Sequence, residues 1–144
     1  MSAAACRCLA LALLGACAGT TPPASPSAPE GEAAGSGPEA ARPAAVVEMT
    51  QAIRFSPDTV RVRVGDIVEW RNVSSGIGHT ATLMPQAAAD PANARLPTAA
   101  RGFDSGNIPP GGAWRHRFAV AGTYVYYCTP HETVGMVGVI LVTG

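Results

Sequence analysis

Residues 122–143 read GTYVYYCTPHETVGMVGVILVT, and the character of the chain changes twice within them. Gly122 leads into the aromatic run Tyr124 to Tyr127, which suits the pleated, half-buried surface of a strand. Val137 to Val142 is a nearly uninterrupted apolar run, suited to a buried final strand. Between them, Thr129-Pro130 and Gly135 break the ladder pattern, since proline has no N–H to donate, so the two strands are joined by a tight loop.

Upstream, the same period-two signal recurs. Val60, Val62 and Val64 alternate with Arg61 and Arg63, which puts one face of a strand in a core and the other in water. Gly65-Asp66 makes a turn, Ile67 to Trp70 resumes as a strand, and Asn72 to Gly78 forms a polar loop. His79 to Leu83 is a shorter strand candidate. Met84 to Gly102, rich in Ala, Pro, Asn and Asp, reads as an insertion, either a long loop or a loop holding a short helix around Gln86 to Asp90. Pro109-Pro110-Gly111-Gly112 is a strong turn before Trp114, His116 and Phe118, which alternate with Arg115 and Arg117. Seven or eight short strands punctuated by turns predict an all-β fold, a Greek-key antiparallel sandwich.

The loop at the start of this reading also carries chemistry. Cys128, His131 and Met136 form C-x2-H-x4-M, a thiolate, an imidazole and a thioether on one short connection. These soft and intermediate donors suit copper far better than oxygen-seeking ions. His79 is the candidate fourth ligand, because loops of a sandwich cluster at its ends and a returning strand can bring it near. Two histidines and a cysteine with an axial methionine is the donor set expected of a blue-copper electron-transfer site. Catalytic zinc also uses one cysteine and two histidines, but a thioether is a poor zinc ligand and would stand where water must enter. Met84 is assigned to core or loop and His116 to packing beside Trp114 and Phe118. Glu132 is expected to point to solvent, leaving no general acid or base in the motif.

The 144 residues contain ten arginines, no lysine and ten carboxylates, so no basic field exists to hold nucleic acid. Residues 1–16 carry Arg7, then Leu9 to Leu14, then small residues, which is the layout of a signal peptide for export. Leu14-Gly15-Ala16-Cys17 resembles the lipobox of bacterial lipoproteins, which implies that Cys17 becomes an acylated N-terminus. Cys6 and Cys8 leave with the signal, so Cys128 has no partner for an internal disulfide. Of the 28 residues 18–45, 24 are Ala, Gly, Pro, Ser or Thr, a composition that cannot bury enough surface to order itself. The expected organisation is therefore a signal at 1–16, an anchored linker at 17–45 and one domain at 46–144. The linker would reach from roughly 30 Å as a coil to roughly 85 Å fully extended. No apolar run approaches the roughly 20 residues of a membrane-spanning helix, so a lipid would be the only membrane link.

Phe55-Ser56-Pro57, Gly65-Asp66-x-Val68-x-Trp70-x-Asn72, Gly78-His79-Thr80, Phe103-Asp104-Ser105-Gly106, Pro110-Gly111 and Gly122-Thr123-Tyr124-x-Tyr126-x-Cys128-x-Pro130-His131-x-x-x-Gly135-Met136-Val137-Gly138 together resemble a plastocyanin-type cupredoxin. The resemblance covers most of residues 46–144. It implies a β-sandwich holding one copper ion, Cu(I) or Cu(II), on His79, Cys128, His131 and Met136, and shuttling single electrons. It further implies transient docking of a redox donor and an acceptor near His131. Thr80 stands where relatives often carry asparagine, which predicts a different hydrogen-bond environment for the thiolate. The 84–101 stretch does not follow the family pattern and is expected to shape the surface a partner meets. The overall expectation is an exported, periplasmic or cell-surface bacterial lipoprotein, monomeric and not an enzyme. The alternative is a tethered module that stores or delivers copper. A copper nitrite reductase or oxidase fragment is disfavoured, because a single closed site lacks the second metal and the open position such chemistry needs.

Overall fold

The computed structural model describes residues 42–144; the expected signal peptide, most of the linker and Cys17 lie outside them. Nine strands are present among the described residues: β1 (Ala45–Met49), β2 (Phe55–Ser56), β3 (Thr59–Arg63), β4 (Ile67–Asn72), β5 (Thr82–Leu83), β6 (Phe103–Asp104), β7 (Ala113–Arg117), β8 (Gly122–Tyr127) and β9 (Val137–Thr143). They form two sheets, ordered β2-β1-β4-β7 and β3-β9-β8-β5-β6. The expected sandwich is therefore present, with more strands than the seven or eight predicted.

Nor is it wholly antiparallel. β1 runs parallel to β4, and β3 runs parallel to β9 with Val60 opposite Ile140 and Val62 opposite Val142. The cause is topological: the chain crosses from one sheet to the other after β3, so strands far apart in sequence become neighbours whose direction no hairpin turn fixes.

The period-two reading holds where both faces differ. In β3, Val60 and Val62 are buried while Arg61 and Arg63 are exposed. Val64 departs from the expectation: it lies past the strand end and is 44% exposed, because the chain turns at Gly65, whose φ of +94° favours glycine. β9 is likewise buried only at alternate positions, Gly138, Ile140 and Val142, since its other face covers no second layer.

Both sheets contribute to one core. Val47, Met49, Val68 and Trp70 from one sheet meet Val60, Val62, Tyr124, Tyr126, Ile140 and Val142 from the other. Trp70 sits at its centre, with ring centroids 5.4 Å from both Trp114 and Tyr126. His116 packs as expected, stacked on Trp114 and tilted 36° against Phe103 at 4.6 Å. Burial holds its pKa below the ordinary histidine value, which suits a neutral packed ring.

The 84–102 stretch contains no helix at Gln86 to Asp90. A single 3-10 turn forms at Pro91–Asn93, started by Asp90, whose carboxylate accepts the Ala92 N–H at 2.8 Å. Pro91 suits the first helical position of this turn and biases Asp90, the residue before it, away from helical backbone, which keeps the preceding alanines from running on into it as one helix. Among the described residues no helix is long and apolar enough to cross a membrane.

Candidate metal centre

Three of the four expected donors converge at one end of the sandwich. β8 delivers Cys128 directly after Tyr127, at zero exposure. The chain then tightens into a 3-10 helix over Thr129–Val134, with Pro130 in its first turn and Gly135 at φ +83° ending it. That helix places His131 Nδ1 3.3 Å from Cys128 Sγ. The second histidine arrives from the other side of the fold. His79 pairs with Ile108 by two backbone hydrogen bonds, of 3.2 and 2.7 Å, just ahead of β5. Its Nδ1 lies 3.7 Å from the same sulfur.

The ligand atoms of His79, Cys128 and His131 all lie within 4.8 Å of one another. Both imidazoles turn Nδ1, the nitrogen nearer the backbone, toward one sulfur, and this shared aim points to a common ion rather than to pairwise hydrogen bonding. The donor set fits copper on its chemistry, one soft thiol and two borderline nitrogens. Met136 closes the same loop: it is fully buried, its carbonyl accepts the Cys128 N–H at 3.0 Å, and its own N–H donates to the His131 carbonyl at 3.1 Å. Met84 lies at the start of the 84–102 stretch, partly buried, with its carbonyl 3.5 Å from the Tyr127 hydroxyl.

Burial sets the protonation of the donors. Burial pushes the Cys128 thiol up, opposed by the Thr80 backbone N–H, the Thr80 side chain and the His131 backbone. Burial also holds His79 below its usual value, helped by the neighbouring His131 and opposed by a backbone contact from Thr50. A metal bound here would displace the proton of the Cys128 thiol, whereas the neutral His79 ring would offer a lone pair with no proton to lose. His79 Nε2 is buried without a partner at hydrogen-bond geometry, so the ring is held by packing and by its backbone pair with Ile108.

Thr80 does differ from asparagine in its reach, yet it ties the two ligand segments together. Its N–H donates to Cys128 Sγ at 3.3 Å, and its hydroxyl accepts the Thr129 N–H at 2.8 Å. Thr82 Oγ1 extends this cluster, 2.9 Å from Thr80 Oγ1 and 3.0 Å from Asp104 Oδ1. Ser105 supports it from behind, accepting the Ala81 N–H at 2.8 Å. Sequence reasoning quoted Asp104 and Ser105 only as motif residues and missed Thr82; nothing local marks them, because their partners lie on other strands.

Glu132 corrects an expectation outright. It does not point to solvent: it is 7% exposed, and its carboxylate accepts the N–H groups of Ala89 at 2.9 Å and Asp90 at 3.0 Å and the amide of Asn93 at 3.1 Å. Burial pushes its pKa up, but these three donors outweigh that and hold it below the ordinary carboxylate value. It remains an ionised acceptor turned toward the 84–93 segment. The solvent expectation failed because two of the three donors are main-chain groups of a loop with no sequence signature.

Residues 43–143 match the family described as copper binding proteins, plastocyanin/azurin family. A chloroplastic plastocyanin of Tetradesmus obliquus is 35% identical over 91 residues, covering 63% of this chain and 59% of that protein. A plastocyanin of Scenedesmus fuscus is 33% identical over 91 residues, covering 63% of this chain and 88% of that protein. Among solved structures, a reduced Cu(I) form at pH 4 of a proline-to-glycine variant of amicyanin superposes with a TM-score of 0.53 at 28% identity, covering 73% of this chain and 87% of that one. The match to the Tetradesmus protein thus spans less than two thirds of that relative's length. With three converging donors of the kind copper takes and a family match across nearly all of the described residues, the chain belongs to the plastocyanin/azurin family of copper-binding proteins.

Proposed function

We propose that this protein is a one-electron carrier that holds a single copper ion on His79, Cys128, His131 and Met136 and passes electrons between two redox partners outside the cytoplasm. When bound, the ion supplies the reversible exchange of one electron between Cu(II) and Cu(I). The work of the protein is to keep its donors still, so that little rearrangement opposes that exchange. The observation that carries the reading is the aim of both Nδ1 atoms, at 3.7 and 3.3 Å, on the single sulfur of Cys128.

Rigidity comes from long-range ties. His79 is fixed by Ile108, Thr80 joins the His79 segment to the Cys128 loop, and Met136 is bonded back to Cys128 and His131. His131 is the most exposed of the three clustered donors, and nearby Val134 is 68% exposed. An apolar residue beside a partly exposed ligand suits brief docking of a partner near His131. The signal-like segment and Cys17 support export and a lipid tether to a bacterial membrane, with the domain acting as a monomer at the periplasmic or cell surface.

The test is a Cu(II) titration of the full chain followed by visible absorption, beside a Cys128→Ser control, and repeated after adding a reductant. An intense blue band that requires Cys128 and bleaches reversibly is the expected result. Copper binding without that band, or only as Cu(I), would transfer the function to copper storage or delivery.

A further inference from the structure

We propose that Glu132 is a positioning residue for the ligand His131: its carboxylate latches the ligand loop onto the 84–95 segment and so holds the imidazole against Cys128. The proposal rests on the copper-site reading above and goes beyond it, because it gives a task to a segment that the ligand set alone leaves without one.

The 129–136 loop is held mostly by itself. The hydrogen bonds from Cys128 to Met136, His131 to Cys128, Gly135 to Glu132 and Met136 to His131 all stay within it and the adjoining Cys128. Among the described residues, its hydrogen bonds to more distant parts of the chain come from two residues, Thr129 and Glu132. Thr129 bonds to Thr80 and Thr82 at the Cys128 end, and Glu132 bonds to Ala89, Asp90 and Asn93 beyond His131. His131 therefore lies between two tethers on a short 3-10 helix, a conformation with poorer hydrogen-bond geometry than an α-helix.

The second tether has a firm far end. Arg95 and Val125 exchange backbone hydrogen bonds of 3.1 and 2.8 Å, and the Tyr127 hydroxyl lies 3.5 Å from the Met84 carbonyl. Val125 and Tyr127 belong to β8, the strand that ends in Cys128. A closed frame results: β8 leads to Cys128, the ligand loop leads to Glu132, Glu132 bonds to the 89–93 turn, and that segment returns to β8. Two successive backbone N–H groups and a side-chain amide make a concave donor set for one carboxylate, and charge-assisted bonds of this kind are stronger than neutral ones. A buried carboxylate is costly without such partners, so the latch and the burial of Glu132 require each other.

The experiment compares the full-length wild type with Glu132→Gln, in which an NH2 group replaces one acceptor and faces an N–H donor, and with Asn93→Ala, which weakens the latch from the far side. In metal-free protein, the amides of Ala89 and Asp90 should exchange faster with solvent and the His131 ring resonances should broaden, while the Tyr126 amide is unchanged. In copper-loaded protein, the ratio of the thiolate absorption bands and the reduction potential should shift, and copper affinity should fall by roughly ten- to hundredfold, the range for losing an outer-shell partner, with faster copper release. Asn93→Ala should move every readout the same way by less, and it decides the matter if Glu132→Gln does not fold. Faster amide exchange with unchanged band ratio, potential and copper release would reduce Glu132 to an anchor of the 84–95 segment and overturn the proposal. Should the wild type take copper without a blue band, the carrier reading falls; the His131 resonances of the metal-free variants then decide this proposal, broadening for it and invariance against it.

Discussion

Thr80 donates its backbone N–H to the sulfur of Cys128 at 3.3 Å across 48 residues of sequence, while its hydroxyl accepts the N–H of Thr129 at 2.8 Å. One residue thus holds both the thiol and the first residue of the ligand loop. Thr80→Val keeps the backbone bond and the shape but removes the acceptor. It should cost about 1 kcal/mol in denaturant unfolding of the metal-free protein. It should also shift the thiolate band of the copper form, and Thr80→Ser should restore both. An unchanged band in the Val variant would show that the hydroxyl does not govern the sulfur's surroundings.

Gly138 sits opposite Tyr126 on the neighbouring strand, and a Cβ built there would lie 2.5 Å from the Tyr126 ring and hydroxyl. That ring cannot swing away, since it is fully buried between Phe55, at 4.7 Å, and Trp70, at 5.4 Å. Gly138→Ala should therefore destabilise the domain by about 1–3 kcal/mol, the range for overpacking a well-filled core. Thermal unfolding reads this directly; a melting temperature equal to wild type would show that the two sheets can part at little cost.

Glu69 is 3% exposed, and burial alone would raise its pKa. Its ion pairs with Arg115 and Arg71 outweigh burial and hold it below the ordinary carboxylate value. A group whose folded pKa is depressed contributes stability that is complete above its unfolded value and is lost as pH falls through the folded value. Unfolding free energy should fall with acid below about pH 5, and Glu69→Gln should flatten part of that slope. Parallel slopes for the two proteins in chemical denaturation series would refute it. Glu132, depressed in the same direction, accounts for some of the slope that remains.

Residues 46–144 carry eight arginines against seven carboxylates, so two copies of the domain neither attract nor repel strongly at long range. Electron self-exchange between the Cu(I) and Cu(II) forms, followed by NMR line broadening, should vary little between low and physiological ionic strength. A steep salt dependence would reveal a local charge patch at the docking face that the net balance hides.

Much of this protein is legible in order along the chain. Alternation in Val60 to Arg63 and the runs flanking Cys128 mark strands because one pleated face must be buried and the other wet. The spacing of Cys128, His131 and Met136 names the donors because a thiol, an imidazole and a thioether on one short loop make a soft donor set. What spacing cannot convey is direction and partnership at a distance. The parallel pairing of β3 with β9, the delivery of His79 to a sulfur 49 residues away, and the aim of both Nδ1 atoms arise only when two sheets close over Trp70. Val64 and Glu132 were misread for the same reason. The first is exposed by where a turn ends its strand, and the second is buried by main-chain donors from Ala89 and Asp90. Side-chain chemistry is written residue by residue in the sequence, whereas every residue but proline carries the same backbone N–H. Which of those donors meets a given carboxylate or thiol is therefore set by the folded path of the chain.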